Sequence, residues 1–88
     1  MRGSVATLHS EDYRRFLAEI RVMRTDANLS QAALAKHLEK PPSYVAKSEL
    51  GERRLDVLEL IAWCRACAAD PCAFLKHLVH MLDEQRDR

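Results

Sequence analysis

The stretch Leu29-Ser30-Gln31-Ala32-Ala33-Leu34-Ala35-Lys36-His37-Leu38-Glu39-Lys40-Pro41-Pro42-Ser43-Tyr44-Val45-Ala46-Lys47-Ser48-Glu49-Leu50-Gly51 decides the fold. Ser30 is a helix cap, because its hydroxyl can accept a backbone N–H that the first turn leaves unpaired. Ala32, Ala33, Leu34, Ala35 and Leu38 supply the apolar side of the short helix behind it. Glu39-Lys40-Pro41 reads as a turn. Pro42 suits the first turn of a second short helix, where its missing N–H costs nothing. That helix carries Tyr44, Val45 and Ser48 and stops before Gly51.

On the N-terminal side, Ser10 caps a longer helix with Glu11 and Asp12 in its first turn, where the helix dipole favours acids. Tyr13, Phe16, Leu17, Ile20 and Met23 follow at three- and four-residue spacing, one apolar stripe on a helix of several turns. Asn28 ends it, since Asn tolerates the left-handed conformation. On the C-terminal side, Asp56 caps a fourth helix with Val57, Leu60, Ile61, Cys64 and Cys67 on one side. Asp70-Pro71 is a cap followed by a first-turn proline. It opens a fifth helix in which Phe74, Leu75 and Leu78 complete the core, and Val79, Met81 and Leu82 are left over.

The expected architecture is all-α: five helices around one core, spanning residues 10–83. Residues 1–9 show no periodicity and are expected to form a flexible arm. Its opening Met1-Arg2-Gly3-Ser4 looks like the start of an expression leader, so residues 1–9 are an arm or a tag. The charged end, residues 84–88, is expected to fray. Eighty-eight residues suffice for one modest core. Ala and Leu dominate the apolar set, which favours helices. No apolar run is long enough to span a membrane.

Two short helices joined by a tight turn have the spacing of a helix-turn-helix unit. The second helix of such a pair fits the major groove of B-DNA while the first crosses the backbone. The run Leu29 to Ala35, then Ser43-Tyr44-Val45-Ala46-Lys47, then Glu49-Leu50-Gly51-Glu52-Arg53-Arg54-Leu55-Asp56, resembles the Xre-type helix-turn-helix family, which includes lambda Cro and the phage repressors. The resemblance covers about residues 10–78 without a gap. It implies a sequence-specific regulator of transcription, a repressor of a phage, prophage or mobile-element operon.

The roles that the resemblance implies fall on particular residues. Gln31 matches a glutamine that contacts a phosphate. Ser43 and Lys47 match groove-facing positions, with Pro42 and Ala46 on the same side. Arg53 and Arg54 match a basic loop that grips the DNA backbone. Arg24 and Glu49 match a partly buried ion pair between helices one and three. Lys40 joins the same basic face, and Tyr44 is either a core residue or a phosphate contact through its hydroxyl. Three positions depart from the family: Glu39 stands where the turn usually has glycine, Pro42 where many relatives carry a polar reader, and Leu50 where a polar residue is usual.

The net charge of +1 gives no bulk field for nucleic acid, so the case rests on where the charges sit. One recognition helix reads only a few base pairs, so a homodimer on double-stranded DNA is expected, with Val79, Met81 and Leu82 as its interface. Two alternatives share the fold: an antitoxin that holds a toxin protein, and an interaction module that has lost DNA binding. No nucleophile–base set, glycine-rich phosphate loop or carboxylate pair suggests an enzyme, and no cofactor is implied. Cys64, Cys67 and Cys72 with His77 and His80 approach zinc-knuckle spacing. They lie in helical Ala- and Leu-rich sequence rather than glycine-rich loops, so no metal is expected. Three clustered cysteines make a poor disulfide framework and point to a reducing cytoplasm. Cys72, in a first helical turn, is the thiol expected to react.

Overall fold

The structure is a computed structural model and describes residues 10–86, so the expected arm at 1–9 and the last two residues lie outside the described residues. Five helices follow in order: α1 Glu11–Asp26, α2 Gln31–His37, α3 Ser43–Glu49, α4 Val57–Ala66 and α5 Pro71–Arg86. There are no strands among the described residues, and the expected all-α class holds.

Each start has its side-chain cap where the sequence has an oxygen to offer. Ser10 Oγ accepts from Tyr13 N at 3.1 Å, and Ser30 Oγ from Ala33 N at 3.0 Å. Asp56 Oδ1 accepts from Glu59 N at 2.8 Å while Glu59 Oε1 accepts from Asp56 N at 2.9 Å, a reciprocal capping box. Pro42 is the residue before α3 and not its first turn; it is already helical in φ and ψ but brings no side-chain cap.

The four helix ends that precede a connection share one geometry. Beyond each end, one N–H returns to the carbonyl five residues back and its predecessor to the carbonyl three back. The pairs are Leu29 to Arg24 and Asn28 to Thr25, Lys40 to Ala35 and Glu39 to Lys36, Glu52 to Lys47 and Gly51 to Ser48, Ala69 to Cys64 and Ala68 to Arg65. This is the Schellman motif, which needs a left-handed residue at its hinge. The hinges are Asn28, Glu39, Gly51 and Ala68, with φ of 60°, 58°, 82° and 57°. Only one is glycine, so Glu39 and Ala68 carry the Cβ strain of that region. Glu39→Gly and Ala68→Gly are each expected to raise stability by about 0.5–1 kcal/mol, seen as a higher urea midpoint with an unchanged slope. A drop for either would mean that its side chain makes a contact worth more than the strain.

The core is Ile20, Met23, Leu34, Ala35, Tyr44, Val45, Leu55, Trp63, Cys64, Cys67, Phe74 and Leu78. Phe16 meets Phe74 edge-on at 6.4 Å between centroids, joining α1 to α5. Several expectations are corrected here. Val57 is 65% exposed, because α4 turns Leu60, Trp63 and Cys64 inward instead. On α5 the buried positions are Phe74 and Leu78, with Leu82 packed against the same core. Leu75 and Val79 lie on the solvent side, each 50% exposed. Leu82 is therefore not surplus, and Met81 is half-buried. Nor does the helix stop at Asp83. It runs to Arg86, whose Nη2 donates to Asp12 Oδ2 at 3.1 Å and ties the two ends of the fold together.

Candidate nucleic-acid interface

Helix α3 has seven residues, so it is about 10 Å long and cannot hold itself together in isolation. Its position is set by one buried face. Tyr44, Val45, Ser48 and Glu49 point inward, with Val45 and Ser48 fully buried. The opposite face offers Pro42, Ser43, Lys47 and Leu50 to solvent, with Ala46 half-buried between them. Ser43, Lys47 and Leu50 follow at four- and three-residue spacing and make one stripe.

Behind α3 stands a polar clamp. Glu49 is 3% exposed, and its carboxylate accepts from Arg24 Nε at 2.6 Å, Arg24 Nη2 at 3.1 Å and Gln31 Nε2 at 3.0 Å. Arg21 Nε stands 3.4 Å away. Arg24 Nη1 also donates to the Leu29 carbonyl at 2.8 Å, so one guanidinium joins α1, the α1–α2 turn and α3. Burial pushes the Glu49 carboxyl up, but the hydrogen bonds from Arg24 and Gln31 and the charges of Arg24 and Arg21 outweigh it. The carboxyl is held below its ordinary value. Gln31 thus gives one amide N–H to Glu49; an amide nitrogen carries two, and the second is free for another acceptor.

The remaining basic residues are held in different ways. Lys47 has no acidic partner within 4 Å among the described residues; nor has Lys40, whose Nζ lies 5.5 Å from the Tyr44 ring centroid. Arg54 packs its guanidinium over Tyr13 at 4.6 Å. Arg53 stacks on Tyr44 at 4.8 Å and donates to Glu59 at 2.8 Å, so much of its charge is already met within the chain. Tyr44 is 8% exposed, lies against Trp63 and directs its hydroxyl at Glu59 over 3.3 Å. Of the two readings open for Tyr44, the structure favours the core residue, one that also serves as a platform for Lys40 and Arg53.

Sequence reasoning missed Glu59, Arg21 and Trp63. Glu59 had a signal, since Asp56-x-x-Glu59 is a capping-box spacing. Arg21 had none beyond its helical position, three residues before Arg24.

The cysteines part company. Cys64 and Cys67 are buried and Cys72 is exposed. Burial raises the Cys64 thiol to about 11, helped by Cys67 and Asp70, and burial likewise raises Cys67. Among the described residues no three His, Cys, Asp or Glu side chains converge on a common point. At pH 8, brief alkylation followed by mass spectrometry should label Cys72 and leave Cys64 and Cys67 intact until urea is added. Early labelling of Cys64 would contradict its place on the buried face of α4.

A compact all-α body with a short, clamped second helix after a tight turn defines a helix-turn-helix domain. A family profile described as a helix-turn-helix domain matches residues 15–75. Among solved structures, an XRE-family like protein from Pseudomonas syringae pv. tomato str. DC3000 is 39% identical, with a TM-score of 0.78 over 84% of this chain and 90% of that one. Among curated proteins no match is found. The chain belongs to the Xre-type helix-turn-helix family and has the fold of a DNA-binding regulator. Among the described residues no helix is long and apolar enough to cross a membrane.

Proposed function

We propose that the protein is a cytoplasmic, sequence-specific transcriptional repressor that binds its operator as a symmetric dimer. It has no enzymatic activity. The observation that carries this reading is the solvent-facing stripe of α3, Ser43, Lys47 and Leu50, on a helix whose other face is clamped by Arg24 and Glu49. Ser43 and Lys47 read base edges. Pro42, Ala46 and Leu50 offer apolar contact to thymine methyls. Lys40, Arg54 and the second N–H of Gln31 meet phosphates, which fix register without reading sequence. Arg53 is a weaker candidate for the same task because Glu59 competes for it.

The test is a mobility shift on duplexes tiled across the DNA beside the protein's own gene, at several salt concentrations. A preferred duplex with an inverted repeat is expected, bound far more tightly than scrambled sequence. Equal binding to every duplex would defeat the reading and favour a module that binds protein instead.

The dimer surface proposed is the solvent side of α5. Leu75 and Val79 are one turn apart and half exposed, with Met81 beside them in sequence. Val79→Asp should make the protein monomeric in sedimentation at tens of micromolar while leaving its thermal melt close to wild type. Leu82→Asp would mix the two effects, since Leu82 also packs on the core. A dimer that survives Val79→Asp lies elsewhere.

A further inference from the structure

Between α1 and the α4–α5 junction lies an open groove of about 370 Å³. Its floor is apolar, built in part from Met23 and Phe74, with Ala73 at the edge. That size is within the range of small-molecule sites, and the mixture of apolar floor and few polar groups is typical of them.

The charge around the groove is one-sided. Its lining includes Glu19, Asp26 and Asp70, and neither lysine nor arginine. Glu19 is engaged, with Arg15 at 3.7 Å and His77 Nε2 at 2.9 Å. Asp26 and Asp70 have no basic partner within 4 Å among the described residues. Asp70 Oδ1 accepts from the backbone N–H of Cys72, which leaves its other oxygen. The three carboxylates do not converge into a chelating cluster, so the set does not suit a bare metal ion. Carboxylates spaced around an apolar floor attract a cation that brings apolar surface with it.

We propose that this groove binds a small organic ammonium ion with an apolar body, its charge between Asp26 and Asp70 and its body on Met23 and Phe74. The site lies outside the DNA-reading face and does not depend on the DNA-binding reading, because it is tested without DNA.

The probe is tryptamine, with tryptophol and indole-3-propionate as neutral and anionic relatives of similar shape. Each is titrated into the 15N-labelled full chain and followed by amide shifts. Tryptamine should give saturable shifts centred on Met23, Asp26, Asp70 and Ala73. Tryptophol should bind about fivefold to tenfold more weakly, and indole-3-propionate more weakly still. In Asp26→Asn/Asp70→Asn, tryptamine should fall to the level of tryptophol. Asn keeps the cap at the start of α5, so the melt should be little changed. Ala73→Trp should fill the groove and abolish binding. The proposal is overturned by equal affinities for all three probes, by no saturable shift below about 10 mM, or by shifts confined to Leu75 and Val79. It is also overturned if the groove amides move with protein concentration before any amine is added, which would assign the groove to a second copy of the chain.

Discussion

Arg24→Ala should cost about 3–5 kcal/mol, the penalty for leaving a buried charge without its partner. A domain of this size has only about 5–15 kcal/mol in all, so the variant should unfold at low urea. The reason is local. Glu49 is fully lined by donors, and Arg24 supplies two of its three hydrogen bonds. The pH dependence fixes the mechanism. In the wild type the Glu49 carboxyl lies below its unfolded value of 4.5, so its stabilisation is present above that pH and is lost as pH falls through the lower, folded value. In Arg24→Ala two of the three hydrogen bonds and the nearest charge are gone, leaving only Gln31 and Arg21 to oppose burial, so the carboxyl rises. The defect should then be largest near pH 7 and shrink as pH falls and Glu49 takes up a proton. Urea melts of both proteins between pH 4 and 8 would show the two curves converging on the acid side. Parallel curves would mean that Arg24 acts by packing alone. The double variant Arg24→Met/Glu49→Leu should recover most of the loss, because no charge is left stranded.

Lys47→Ala is expected to have the largest effect on DNA. A lysine that donates to guanine O6 and N7 is worth roughly 1–3 kcal/mol per half-site. Over two half-sites the operator affinity should fall roughly 30-fold to more than 10⁴-fold, with a smaller loss on scrambled DNA. Arg54→Ala is the contrast. Arg54 is held over Tyr13 and has no acidic partner within 4 Å among the described residues, so it is the cleaner phosphate candidate of the two loop arginines. Its loss should weaken all DNA about equally and lower the salt slope by about one per contact, or about two for a dimer. Titrations of both variants on operator and scrambled duplexes at several salt concentrations separate the roles. If Lys47→Ala lowered both affinities equally, α3 would not lie in the groove as proposed.

The parts of the fold legible in the sequence were those fixed by local chemistry. Ser10, Ser30, Asp56 and Asp70 start their helices because each offers an oxygen where a first turn needs an acceptor, and that need does not depend on the rest of the chain. What failed was the choice between neighbouring apolar residues. Val57 and Leu75 were expected inside, but each lies at the margin of an apolar stripe. There the angle at which a helix packs decides which residue turns inward, and tertiary packing, not periodicity, sets that angle. Trp63, which the apolar stripe did not include, is fully buried. The interface behaved in the same way. The stripe on α3 follows from helical spacing. By contrast, the engagement of Arg53 by Glu59 and the burial of Tyr44 depend on how α4 packs beside α3, and nothing in the local sequence states that.

The division of labour within α3 also bears on how such a protein changes its target. Tyr44, Val45, Ser48 and Glu49 are committed to the interior, whereas Ser43, Lys47 and Leu50 are exposed. The outward positions can therefore drift or be exchanged with little folding cost, since surface substitutions away from special features are usually worth within about 0.5 kcal/mol. The scaffold is in effect a holder with a replaceable face. Grafting another protein's outward side chains onto Ser43, Lys47 and Leu50 should move the preferred sequence while the melting temperature stays where it was. If α3 reads DNA as proposed, new binding specificities can arise by a few surface changes at little folding cost.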